Sequence, residues 1–407
     1  MVEENSKTKS SFPFAWGFNP QEEMLEVTRK TKKLTIGIPK ETTCGETRIP
    51  LTPEAVKLLT QRGHEVVIEA DAGVNANFSN LHYSENGATI VQSAREVFTS
   101  DVVIKVSPFS IEEVPLMNVN QTIISSLHLN KYTSDFIKAI MQKKVTAIAS
   151  DAIKDVDGCY PIVRSMSSLA GSTAILVAAE LMSTTNKGKG VLLGSIPGIT
   201  PAEVVILGAS TAGEYAAKAA LGLGAEVKII DHSIKRLTEI QYLLGQRVYT
   251  SNYHPQIIEK ILKTADVVIA TSIPEDSKNR IQIDEELVKI MKNGAVIIDL
   301  TVDRGGTFAT SEYKTNNEPP FIKHNVIHYC IPNITSRVAR TASIALSNVY
   351  MPLLECIADA PSIKAYLKEN TGIRNGVYVF NGMLTNSYLG EVYNIPSRDI
   401  DLLMAAF

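Results

Sequence analysis

Residues 204–231 read VVILGASTAGEYAAKAALGLGAEVKIID. A run of β-branched residues ends at Gly208. A small, alanine-rich helical segment follows, and a second apolar run closes on Asp231, 23 residues after Gly208. Strand, glycine turn, helix, strand, acid is the order of a dinucleotide-binding βαβ unit. There the first glycine makes the turn, a later one lets helix pack on strand, and the helix N-terminus faces the pyrophosphate. The acid accepts from the ribose hydroxyls. On this reading Gly208, Ser210, Thr211, Ala212 and Gly213 form the phosphate-facing turn, and Asp231 is the ribose acid. The middle position is Ser210 rather than glycine, so two other readings stand beside it. Gly208-Ala209-Ser210-Thr211-Ala212 also fits a hydrolase nucleophile elbow, with His254, His324 and His328 downstream as possible partners. The third is a structural turn without a ligand. Asp231, for which the elbow chemistry has no use, favours the first.

The alternation continues on both sides. Downstream, RVYTS, DVVIATS, AVIIDLT and VIHYCI complete six strands with helices between them, the count of a doubly wound sheet. Upstream, LTIGIP, HEVVIEA, TSDVVIKVS, QTIISSLHL and VTAIASDAI alternate with helical segments as a first α/β block. Between the blocks, SMSSLAGSTAILVAAELMS has helical spacing and almost no charge, and predicts a buried helix. GKGVLLGSIPGITPAE predicts a loop or hairpin. The long apolar helix ARTASIALSNVYMPLLECIAD offers a way back to the first block. The fold class is therefore α/β.

With 407 residues the chain has room for two or three domains. A net charge of −3 gives no basic footprint for nucleic acid and no polybasic membrane patch. No apolar stretch is read as approaching the ~20 residues of a membrane span. The scattered cysteines Cys44, Cys159, Cys330 and Cys356 suit a reduced, cytoplasmic protein and make no metal motif. Residues 1–33 read as a polar extension with one aromatic cluster, Phe12, Phe14, Trp16 and Phe18.

Chemistry-bearing residues gather at strand ends. The first block holds Arg48 in TRIPLTP, Lys105 and Ser107 in VVIKVSPF, and His128 in SSLHLN; the second holds Asp299 and Asp303 in IIDLTVDRGG. Arginine, histidine and carboxylate beside a nicotinamide suit a dehydrogenase of small acids. The arginine clamps a carboxylate and the histidine exchanges a proton at the reacting carbon. Taken singly, each has a plainer reading: a surface pair, a core histidine, a turn acid. A lysine in an apolar strand needs an anionic partner or a place in a site.

The motifs IGIPKET, ETRIPLTPEAV, RGHEVVIEADAG, SLHL, MSSLAG, GKGVLLGSIPGITPAEVVILGASTAG, MKNGAVIIDLTVDRGG and HYCIPNI, in that order, resemble the alanine dehydrogenase and transhydrogenase family, and most closely its alanine dehydrogenase branch. The resemblance implies two Rossmann-like domains with a deep cleft between them. A discontinuous substrate domain (34–161 and 340–407) would carry an inserted NAD domain (162–339). It also implies a homo-oligomer, usually a hexamer, that interconverts L-alanine with pyruvate and ammonium using NAD. By motif, Arg48 would hold the substrate carboxylate, His128 would be the acid/base, and Asp303 would help handle ammonia or water. Ser167, Ser210, Asp231 and Asn333 would touch NAD. The family's dehydrogenases have K-V-K-E-P around Lys105, and their second lysine binds substrate. Here Ser107 takes its place, so Lys105 is expected to supply the charge from one step back on the same face. Ser168 and Ser172, where the dehydrogenases tend to have Glu and Arg, depart further. A non-catalytic, transhydrogenase-type NAD(H)-binding protein is the alternative.

Overall fold

The computed structural model describes residues 33–127, 132–271, 282–315 and 318–405. His128 and the aromatic cluster of the N-terminal extension lie outside the described residues. The first sheet is built from β1 (Thr35–Ile38), β2 (Glu65–Glu69), β3 (Thr89–Val91), β4 (Val102–Ile104), β5 (Thr122–Ser125) and β6 (Thr146–Ala149). The second contains β7 (Glu203–Leu207), β8 (Glu226–Ile230), β9 (Tyr249–Ser251), β10 (Val267–Ala270), β11 (Val296–Asp299), β12 (Phe321–Lys323) and β13 (Val326–Tyr329). From the C-terminal segment, β14 (Val377–Phe380) and β15 (Met383–Leu384) return to the first sheet.

The two sheets repeat one plan. In the first, the parallel strands run β6-β5-β4-β1-β2-β3, extended by antiparallel β14 and β15. In the second they run β13-β11-β10-β7-β8-β9, with antiparallel β12 at the edge. Each is the doubly wound order of a dinucleotide fold, with its switch point between the first and fourth strands. The six parallel strands expected in the second block are present. The short edge strands β3 and β12 are additional, being too brief and too little buried to carry a clear pattern. The central strands are apolar apart from Glu203 and Asp299 at their ends, as expected of strands covered on both faces.

Two helices, α1 (Pro161–Met182) and α3 (Ala339–Asp359), join the halves, and α2 (Thr211–Gly222) follows β7 in the second. α1 crosses the start of α2 so closely that a Cβ at Gly171 would lie 2.1 Å from the Ala212 carbonyl oxygen. α3 packs Leu346, Tyr350, Leu354 and Ile357 into the first sheet's core. Contrary to the sequence expectation, Pro161–Met182 and Ile334–Asp359 are long and apolar enough to cross a membrane by length and composition. Their small and apolar residues instead form helix contacts and core: Ala174, Ile175, Val177 and Ala178 belong to the second sheet's core.

Candidate active site

Strand ends deliver the site. Arg48 follows β1, Ser107 follows β4, Ser150 follows β6, Asp303 follows β11 and Asn333 follows β13. All of them line one cleft of about 420 Å³ between the two sheets, together with Ser167 from α1 and Tyr350 from α3. Five residues singled out in the sequence (Arg48, Ser107, Ser167, Asp303 and Asn333) thus meet in one place. Two larger hollows, at 234–252 and around Lys40 and Glu113, contain none of these five.

Arg48 is not free. Its Nε and Nη2 reach the Glu46 carboxylate at 2.7 and 2.5 Å, while Nη1 lies 3.0 Å from Thr335 Oγ1 and 3.3 Å from Met166 Sδ. Glu46 also accepts from Asn333 Nδ2 at 2.9 Å, which ties the Arg48 loop to the turn after β13. Burial alone would raise the Glu46 pKa, but the Arg48 charge and hydrogen bonds outweigh it and hold the carboxyl below its ordinary value. Asn333 is left-handed (φ 60°), a conformation asparagine tolerates better than most residues. The bidentate partner of Arg48 is therefore Glu46, which spacing alone did not reveal. On the Nη1 side the partners are neutral, the Thr335 hydroxyl and the Met166 thioether.

Lys105 corrects the sequence expectation. Strand β4 ends at Ile104, and the lysine side chain is fully buried, off the cleft wall. Its Nζ donates to Glu113 Oε1 at 2.8 Å and lies 4.0 Å from Glu41 Oε2. An ammonium sealed from water takes the nearest carboxylate, so its charge is spent on Glu113. Ser107 does reach the cleft, but its hydroxyl donates to Glu41.

Asp303 is exposed in the turn Val302–Arg304. That turn is fixed by Asp299, whose buried carboxylate accepts from Thr301 N and Oγ1, Thr307 N and Ser311 Oγ at 2.5–2.9 Å. Tyr313 also lines the cleft; burial, then the charges of Asp303 and Cys44, raise its pKa. Neither Tyr313 nor Tyr350 carries a motif, so sequence reading passed over both.

The glycine turn has the expected form. Gly208 sits at φ 112°, and a Cβ on Gly213 would lie 2.2 Å from the Gly208 carbonyl oxygen. Ser210 caps α2, accepting from Gly213 N at 3.2 Å and lying 3.1 Å from Thr271 Oγ1. Meanwhile His328 is bonded to Thr310 and Val326, and His324 to Glu285. Among the described residues the Ser210 hydroxyl is bonded to Thr271 and to no imidazole, which disfavours the elbow reading. Asp231 stands at the end of β8, its two oxygens accepting from Ala209 N and Ser233 N at 2.7 Å each. That buried carboxylate, a turn too tight at Gly213 for a Cβ, and the N-terminus of α2 form a cradle of the kind that holds a dinucleotide.

The profile described as "Alanine dehydrogenase/PNT, N-terminal domain" matches residues 37–170, and that described as "Alanine dehydrogenase/PNT, C-terminal domain" matches 174–387. The chain belongs to this family. Among its relatives, the alanine dehydrogenase of Staphylococcus saprophyticus is 36% identical over 369 residues, covering 90% of this chain and 99% of that one. Alanine dehydrogenase 2 of Staphylococcus aureus is 35% identical over the same span. A solved L-alanine dehydrogenase superimposes with a TM-score of 0.83 at 32% identity, over 89% of this chain and 99% of that one. A transhydrogenase from Sinorhizobium meliloti, at 22% identity and a TM-score of 0.73, shares the fold over 87% and 99%. Members of the alanine dehydrogenase/PNT family are NAD-dependent dehydrogenases in their dehydrogenase branch, and the cradle at Gly208–Gly213 agrees with NAD as the cofactor.

Proposed function

We propose that this protein is an alanine dehydrogenase, oxidising L-alanine with NAD and water to pyruvate, ammonium and NADH, reversibly. The observation that carries the reading is the meeting of Arg48, Asp303, Asn333 and Ser167 in one cleft at the carboxyl ends of both sheets, walled by α1, which packs on the start of α2 at Gly171. The domain division is that of the sequence: 34–161 with 340–407 for substrate, 162–339 for NAD. Gly208, Ser210, Thr211, Ala212 and Gly213 would hold the pyrophosphate through backbone and helix N-terminus, Asp231 the ribose, and Ser167 and Asn333 the nicotinamide end. When bound, NAD supplies the hydride acceptor.

The rest is done by this chain's side chains. Arg48 offers its Nη1 side to the substrate carboxylate, which would replace the neutral Thr335 and Met166 partners, its other side being locked on Glu46. His128 takes the acid/base role at the reacting oxygen. Asp303, exposed on its turn, orients ammonia or water. The enzyme works in the cytoplasm as a homo-oligomer, a hexamer by family habit, with no membrane or nucleic-acid partner. One observation favours a second reading, a non-catalytic NAD(H)-binding protein of transhydrogenase type: Ser107 stands at the position of the family's substrate lysine, and Lys105 is buried against Glu113. NADH oxidation with pyruvate plus ammonium, run against glyoxylate and longer 2-oxo acids, separates the two. Turnover supports the enzyme. NADH binding without turnover of any 2-oxo acid supports the alternative.

A further inference from the structure

Behind Arg48 and Ser107 lies a carboxyl group that neither the sequence reading nor the proposed chemistry uses. Glu41, in the loop after β1, accepts from Val106 N at 2.6 Å and Ser107 N at 3.3 Å with Oε1, and from the Ser107 hydroxyl with Oε2. The charged and titratable groups facing it are Lys105 from the end of β4, Glu46 and Arg48 from its own loop, and Tyr350 from α3; Glu113 stands behind Lys105. Those charges pair off without Glu41: Arg48 is forked on Glu46, and Lys105 is bonded to Glu113. The cluster is therefore neutral when Glu41 carries its proton and has one excess negative charge when it does not. Burial raises the Glu41 pKa, Lys105 opposes, and Glu46 adds to the rise, for a net value of about 7.

We propose that Glu41 is a positioning residue that sets the cleft's affinity for the substrate carboxylate. Its protonated form admits a 2-oxo acid beside Arg48, and its ionised form repels it through Ser107. This rests on the dehydrogenase reading, because it needs an anionic substrate at Arg48. Like charges a few ångström apart in a partly dry site are only weakly screened, so the ionised form should bind the anion distinctly less well.

The test is the KM for pyruvate at saturating NADH and ammonium, from about pH 6 to about pH 9, in the wild type and Glu41→Gln. Every other titratable group is common to the two proteins, so the ratio of the two KM values isolates Glu41. That ratio (wild type over variant) should be near unity at the acid end and about tenfold at the alkaline end. The kcat ratio should stay flat. A KM ratio that does not vary with pH, or a pH dependence carried by kcat alone, overturns the proposal. Should Glu41→Gln not fold, proton uptake on binding pyruvate to the NADH complex of His128→Gln is measured calorimetrically in buffers of different ionisation enthalpy. Uptake near neutral pH supports Glu41, since the imidazole is gone; none overturns it. Wild-type protein that turns over no 2-oxo acid defeats the dehydrogenase reading and this inference together, whereas turnover with a flat ratio defeats only the inference.

Discussion

Replacing Lys105 by methionine separates a buried anchor from a substrate contact. The ammonium is fully buried, 2.8 Å from Glu113 Oε1 and 5.4 Å from the centre of the Phe109 ring. Glu113 is itself buried, and its other oxygen accepts from Ser110 N at 2.7 Å, so the pair holds the turn Ile111–Leu116 against the strand. Removing one member of such a pair strands the other charge away from water, at about 3–5 kcal/mol. Removing both charges, in Lys105→Met/Glu113→Gln, leaves a polar amide beside a thioether and should recover about half of that loss or more. Guanidinium unfolding followed by far-UV circular dichroism reads all four proteins of the cycle. Kinetics give the second reading. Because Lys105 does not line the cleft, Lys105→Met should keep its KM for pyruvate within a few-fold below neutral pH. A direct substrate contact would instead cost on the order of 10²-fold in kcat/KM. A fully stable Lys105→Met, additive single variants, or a 10²-fold kinetic loss would each refute this account of the lysine.

Three shorter predictions follow from the glycine turn. The buried Asp231 carboxylate at the end of β8 should make the enzyme prefer NAD over NADP, since it repels a 2′-phosphate; equal kcat/KM with the two cofactors would refute that role. Gly213→Ala would push a Cβ to 2.2 Å from the Gly208 carbonyl oxygen, so NADH binding, followed by fluorescence titration, should fall by at least tenfold while the fold persists. Ser210→Ala should lose about 1 kcal/mol of stability with the helix cap but keep dehydrogenase activity, and the wild type should show no esterase turnover.

What the sequence made legible was periodic or local. The run 204–231 carries its own frame: β-branched strands, a turn that admits only small residues, and an acid at a fixed distance. From it follow the order of the second sheet, the cradle of α2, and the placement of Asp303 and Asn333 beyond later strand ends. Close approach is legible too once its cause is seen, as at Gly171, where any side chain would enter the backbone of α2. The charges behind the cleft were not legible. Glu41 and Glu46 sit in IPKETTCGETR, which has neither helical nor strand periodicity to assign its side chains a face, and only the packed sheets show both carboxylates turned inward.

Partner choice in that cluster is set by geometry across the chain, not by spacing. Arg48 is closed by a glutamate two residues away, yet the same glutamate is bonded to Asn333 from the other sheet's edge. Lys105 and Ser107 are two residues apart and were expected to share a face toward substrate. The strand ends at Ile104, however, and past its end the alternation that justified this expectation no longer holds. One side chain turns into the interior to Glu113, and the other reaches the cleft but donates its hydrogen bond to Glu41. The site therefore carries one cation fewer at the substrate carboxylate than the resemblance implied. On the dehydrogenase reading, Arg48 and Arg304 are the cations that line the cleft among the described residues, and Glu41 would decide how much of their attraction a 2-oxo acid feels.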